Sequence, residues 1–478
     1  MMRKNNFSII ISAICLIFSL GACQGLNDGI NDNPNDITID AIQAQSFLTG
    51  AQLGNIQVQV GHLQRISGLW TRQLIGFQSS YLSLDRHNIT TAESNSTWNR
   101  AYHSTLSQLR TIQEKAGDNV QLQAITQVIE AHCMGTMASI FGDIPYSEAV
   151  VAGIEGPRFD AQASVFTELQ LLLDQAITTL DNLEVNLSIP EDIYFQGDPE
   201  KWKAAAWTLK ARYYLQSREY SLAYEAAQNG ITAPENSMMF NPIDDANTDN
   251  KNLFWQLTAG SRAGDIGNLK NDEASFLLQM LSDTAAISRV HGKTREGARL
   301  AFYVIYDADP NANLGIASAT QPMPLISFSE NQLILAETAL RTLNFSTALD
   351  HLNVLRSWLN SGDAFPILDP NASFGYVGLD EDDFEEDGLE NKDGIAPNTA
   401  LLREILEERY VSGFGTWMPY NDARRLRDTE PEVALNFPIN PNGGPCLPQR
   451  FLYSANELDA NLNAPSVPDI CTPTPINQ

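Results

Sequence analysis

Fifty-eight aspartates and glutamates make general acid–base chemistry the first reaction to test against this sequence. Glycoside hydrolysis needs two carboxyls facing one another across a cleft, about 5–10 Å apart. With acids spread along the whole chain, such a pair can be drawn almost anywhere, so abundance selects none. Nucleophilic chemistry has less to stand on: no G-x-S-x-G, no phosphate-binding P-loop and no H-E-x-x-H occur. The histidines (His62, His87, His103, His132, His291 and His351) are isolated and no C-x-x-C is present, so zinc has no ligand set. No metal or cofactor is expected, and the chain reads as a binding protein rather than an enzyme.

Binding chemistry has better candidates. Flat aromatic faces stack on C–H-rich sugar faces or on extended peptides, while flanking polar groups take the hydroxyls or amides. Trp255 is the only Trp in a long, polar, aperiodic stretch, NPIDDANTDNKNLFWQLTAGSRAGDIGN. Tyr81, in a second aperiodic stretch at 77–97, is its expected partner. Arg262 is the expected polar contact, with Tyr303 and Tyr306 as further candidates. Against this stands the ordinary fate of a Trp, which is burial. Trp98, Trp202, Trp207 and Trp358 lie on predicted helices and are expected in the core.

The elements that must position these residues read as helices. In Ile125 to Ala149, ITQVIEAHCMGTMASIFGDIPYSEA, residues Ile125, Val128, Ile129, Cys133, Met137, Ile140 and Phe141 recur at helical spacing. Ala131, Gly135 and Ala138 leave room for a second helix. Gly142 closes the helix and Pro145 prevents it from resuming. Asp40 to about Leu74, Trp98 to Ala116, and the run marked by Phe166, Leu169, Leu173, Ile177 and Leu180 are further helices. Asp198-Pro199 supplies an N-cap and a first-turn proline for another. Trp207, Ala211, Tyr214 and Ala223 fall at spacings near a tetratricopeptide repeat, and Leu335, Ala336, Ala339, Ala348 and Leu352 repeat the pattern. The expected fold is mainly α, an α/α scaffold with degenerate repeat-like helix pairs and long irregular loops.

The N-terminus carries an address. Arg3 and Lys4 precede the apolar run Phe7 to Leu20, too short for a comfortable bilayer span but suited to a signal peptide. Leu20-Gly21-Ala22-Cys23 resembles a bacterial lipobox, so residues 1–22 read as a leader and Cys23 as the lipidated first residue. Residues 23–38, rich in Asn, Asp and Gly, read as a flexible tether, and 39–478 as a single domain. Arg3 and Lys4 leave with the leader and no acid does, so the net charge goes from -28 to -30. That surface repels phosphate backbones and excludes nucleic acid as a partner. Cys133 sits on a buried helix face. Cys446 and Cys471 lie in a Pro-rich tail, where an exported chain would allow them to pair. The acidic stretch 380–393 lacks the order of an EF-hand and reads as a solvated charge run, with calcium as the alternative.

Several of these segments, in this order, resemble the SusD/RagB family of outer-membrane lipoproteins. They are the lipobox, Phe141-Gly142-Asp143-Ile144-Pro145-Tyr146-Ser147-Glu148-Ala149, Gly197-Asp198 through Tyr214, and Ile326 to Leu340. Trp417-Met418-Pro419-Tyr420-Asn421-Asp422-Ala423-Arg424-Arg425 and Leu447 to Tyr453, with Asn456-Glu457 and Asn461-x-Asn463, complete the set. The resemblance implies attachment to the outer membrane, facing the cell exterior, and capture of nutrient for a SusC-like TonB-dependent transporter. It implies an oligosaccharide or glycan ligand, with peptide as the alternative known for the RagB branch. It also implies that the paired arginines and the Arg450-x-x-Tyr453 element tie the tail to the helical body. By residue chemistry, Arg424, Arg425 and Arg450 fit either an anion site or buried ion pairs, and the excess of acids favours pairing. A surface glycoside hydrolase and a pure repeat scaffold are the competing functional classes.

Overall fold

The computed structural model describes residues 42–245, 250–260, 262–271, 273–306 and 314–478. The leader, Cys23 and the tether lie outside the described residues. In chain order the principal helices are α1 (Leu48–Val60), α2 (His62–Trp70), α3 (Ser79–Asp85), α4 (Ser107–Lys115), α5 (Val120–Phe141), α6 (Gln162–Asp181) and α7 (Pro199–Gln216). They continue with α8 (Tyr220–Ala227), α9 (Leu253–Ala259), α10 (Phe328–Thr342), α11 (Phe345–Ser361), α12 (Pro397–Ser412) and α13 (Met418–Leu426). Strands among the described residues are two to four residues long and form two-stranded antiparallel ribbons. One joins Ile75–Gly76 to Ile266–Gly267 and another Met238–Phe240 to Met323–Ile326.

Helix α5 is the centre of the body. Its apolar residues from Ile125 to Phe141 are almost entirely buried. Gly135 is there for a steric reason: a Cβ at that position would lie 2.2 Å from the Tyr213 ring of α7. The contact is completed by the Tyr213 hydroxyl, which donates to the Ala131 carbonyl at 2.7 Å. Gly142 ends the helix at φ +87°, a conformation costly for any residue with a Cβ. Asp143 then accepts from the Gln162 N–H at 2.9 Å and so starts α6.

Successive helices pack on one another through α5, α6, α7 and α8, and α8 passes the stack to α10, which packs on α11 and α12. The Asp198 side chain caps α7 and Pro199 occupies its first turn, as their order predicts. The pairs α7–α8 and α10–α11 stand where the degenerate repeats were read, so the mainly helical expectation holds. Residues Ala44 to Gln478 form one compact unit.

Three expectations are corrected. Residues 77–97 are not aperiodic, since α3 lies within them, and 241–268 contain α9. Both helices are seven residues long, below the length at which periodicity is readable, and are held by tertiary contacts such as Arg72 to Asp85 at 2.8 Å. The expected helix from Trp98 to Ala116 is not uniform: a π-helical segment, Arg100–Leu106, interrupts it. Finally, Arg425 forms the expected buried ion pair, but Arg424 and Arg450 do not. Arg424 donates to the carbonyls of Ser139 (2.7 Å) and Gln449 (3.3 Å), and Arg450 to the carbonyl of Phe141. Both cations therefore sit on the last turn of α5, where unpaired carbonyls and the helix dipole favour positive charge. The Phe451 N–H adds a bond to Ile140 at 2.9 Å. Cys446 and Cys471 are joined in a disulfide with Cα atoms 5.8 Å apart. In the acidic stretch, Lys293 bridges Asp380 (2.8 Å) and Asp383 (2.6 Å).

Candidate ligand-binding surface

The sequence-predicted aromatic residues fall into different environments. Trp255 stands on α9, which Asn252 caps by accepting from the N–H groups of Phe254 (2.8 Å) and Trp255 (3.2 Å). Its ring is half-buried, whereas the neighbouring Phe254 stacks against Phe414 in the core at 5.9 Å. Tyr81 and Arg262 are brought together as expected, but not as two open faces. The Arg262 guanidinium lies 5.2 Å from the Tyr81 ring centroid, and Tyr81 is only 2% exposed. Burial removes its face from solvent; what reaches the surface is Arg262, paired with Asp265 at 2.7 Å and donating to the Ser80 hydroxyl.

Beneath Arg262 runs a short polar relay. Arg65 Nε donates to the Tyr81 hydroxyl at 3.1 Å, which lies 3.4 Å from His62 Nδ1, and His62 Nε2 meets the Glu93 carboxylate at 2.7 Å. The His62 hydrogen bond holds Glu93 below the usual carboxylate range despite partial burial, with Arg262 contributing. Glu93 therefore stays ionised at neutral pH and unsuited to act as a general acid.

Tyr303 and Tyr306 diverge. Tyr303 is buried, with its ring 5.2 Å from Phe414 and its hydroxyl receiving Arg299 Nε at 3.4 Å. It lines a hollow with Phe302, Trp358, Phe365 and Phe414. Trp358, expected in the core, is only half-buried there, edge-on to Phe328 at 5.4 Å. Tyr306 is 40% exposed and its backbone bridges to Leu269.

One polar concavity was not legible in the sequence. A cleft lies between α1, the π-helical segment, the start of α4 and α9. Gly54 makes it possible: a Cβ there would lie 2.6 Å from Thr105 Oγ1, so only glycine lets α1 approach the π turn this closely. The π turn is itself braced by Thr105 Oγ1, which donates to the Arg100 carbonyl at 2.8 Å. Gln57, Gln108, Arg100 and His103 line the cleft, and none of their side chains is engaged by another described residue. Gln256 of α9 borders it, one residue from Trp255, which is not itself among the lining residues. π-Helices are rare and concentrate at functional sites. Polar side chains left without internal partners in a concave surface are what a hydroxyl-rich ligand needs.

The SusD-like family model, described as "Starch-binding associating with outer membrane", matches residues 34–284. Solved structures share the fold. A SusD/RagB family protein from Bacteroides thetaiotaomicron is 19% identical, with 88% of this chain and 95% of that one covered and a TM-score of 0.64. A chitin-binding SusD homolog from Flavobacterium johnsoniae is 16% identical over 91% of this chain and 99% of that one, also at 0.64. A SusD homolog from Bacteroides fragilis is 16% identical, covering 91% and 100%, at 0.63. No curated protein matches the chain in sequence.

Proposed function

This chain belongs to the SusD-like family, and from that premise we propose that it captures oligosaccharides at the outer surface of the outer membrane and passes them to a SusC-like TonB-dependent transporter. The observation that carries the reading is the cleft: Gln57, Gln108, Arg100 and His103 converge on it without internal partners. Amide and guanidinium groups are suited to sugar hydroxyls, each accepting or donating in a fixed direction. Arg262 and Tyr306, both exposed, are further polar and aromatic contacts in this reading. In this reading Tyr81 and Tyr303 act from beneath, the first holding Arg262 and the second Arg299. Trp255, half-exposed beside the cleft wall, is the stacking residue.

The lipid on Cys23 would hold the protein at the membrane. No helix among the described residues is long and apolar enough to cross a bilayer. Capture without turnover distinguishes the reading from a surface glycoside hydrolase. The full chain, extracted in mild detergent, should bind oligosaccharides and leave their length unchanged, and Gln57→Ala with Gln108→Ala should weaken binding. Shortened products, or a double variant that binds as tightly as wild type, would overturn respectively the binding role and the cleft. A peptide pool in the same assay tests the peptide alternative. Cys23→Ala should leave the membrane fraction, and affinity purification of the wild type should recover a TonB-dependent transporter.

A further inference from the structure

We infer that the cleft selects acidic glycans, saccharides bearing carboxylate or sulfate groups, with Arg100 as the residue that reads the charge. The inference rests on the glycan-binding reading and deepens it. It starts from a contrast of charge. The chain has 58 acidic and 30 basic side chains, and its surface should repel an anion. Its arginines are drawn heavily to this excess: Arg289, Arg299, Arg409 and Arg425 are all buried in ion pairs. Arg100 is exposed, makes no ion pair and donates no side-chain hydrogen bond among the described residues.

No acid among the described residues lines the cleft. Its ionisable lining groups are Arg100 and His103, on one face of the π turn with Ser104. At the edge of the cleft the lining residue Asn250 donates to Asp245 at 2.8 Å. A basic floor inside an acidic surface concentrates the local field in the concavity and leaves the surroundings repulsive. Arg100 can receive a carboxylate or sulfate through two parallel N–H groups, a geometry a neutral sugar cannot use fully. Gln57 and Gln108 then face the uncharged hydroxyls of the same chain.

The test compares each acidic glycan with its own neutralised form, so that the backbone is held constant. Polygalacturonate fragments are paired with their methyl esters, and sulfated galactan fragments with their desulfated forms, against the full chain in mild detergent. One acidic form should bind at least about tenfold tighter than its neutral partner, and that preference should shrink as salt is raised. Arg100→Gln should abolish most of the preference, weakening the acidic form at least about tenfold more than the neutral form. Neutral forms bound as well as acidic ones would overturn the inference and leave glycan capture standing. An Arg100→Gln chain with undiminished preference would overturn the role of Arg100. Failure of every form to bind would overturn the capture reading and this inference together.

Discussion

Arg425 of α13 and Glu337 of α10 meet through two parallel hydrogen bonds, Nη1 to Oε1 at 2.7 Å and Nη2 to Oε2 at 2.8 Å, with Glu337 completely buried. The same carboxylate receives Arg409 at 2.5 Å and Arg341 at 2.8 Å. One acid on the second repeat-like pair thus gathers three arginines, and Asp422 takes two of them from the other side. The C-terminal helices are joined to the repeat scaffold at this point.

Glu337→Gln should destabilise the protein by about 3–5 kcal/mol, because it leaves buried guanidinium groups without their counter-charge. Equilibrium denaturation of wild type and variant measures it. A loss below about 1 kcal/mol would show that Asp422 alone neutralises the cluster.

Acid should unfold the protein through its buried carboxylates. Burial pushes Glu408 up, but Arg299 and Arg289 reverse this and bring it down to about 2 from its ordinary 4.5. Glu337 is also held well below its ordinary value, as Arg425, Arg409 and Arg341 outweigh its burial. For a depressed carboxyl the stabilisation is complete above the unfolded pKa and is lost as pH falls through the folded one. The contribution of these two carboxylates should therefore be lost as pH falls below about 5, and denaturation midpoints should fall with it. Glu408→Gln should be less stable at neutral pH and show a shallower acid limb; an identical limb would exclude Glu408 as a contributor.

Arg450→Met should cost about 1.5–3 kcal/mol, the range for a hydrogen bond from a charged donor, because it uncovers the carboxyl end of α5. The tail from Leu447 onward should become sensitive to proteolysis before the body does. A tail as protected as in wild type would show that the disulfide and Phe451 suffice to hold it.

Replacing Cys446 and Cys471 together by serine should lower stability by about 2–4 kcal/mol, since the bridge closes a loop across 25 residues. Ligand affinity should be retained, because the bridge lies outside the cleft. Unchanged stability would mean that the tail is held by its hydrogen bonds alone.

Trp255→Ala should weaken oligosaccharide binding by about 1–3 kcal/mol, in the range of an aromatic anchor. Its stability should change modestly, because the ring is half-exposed on a seven-residue helix. A large stability loss with affinity intact would place Trp255 in the core, like Phe254.

The sequence alone determined the long helices and those ends that carry a local signal, because both depend on neighbours within a few residues. Spacing of apolar residues exposed α5, Gly142 its stop, and Asp198-Pro199 the start of α7. The cap of α9 was also present as Asn252, but its helix is too short to show a period. Tertiary structure decided everything that depends on residues far apart in the chain. Arg424 and Arg450 find their carbonyls 285 and 309 positions away, and main-chain acceptors leave no mark in a sequence, so the ion-pair expectation failed for both. Tyr81 looked accessible because its surroundings are polar, yet Arg262, 181 positions later, closes over its ring. The cleft joins α1, the π turn and α9, whose lining residues are mostly polar and carry no periodic signal. It exists because Gly54 admits Thr105, a contact that only folding creates.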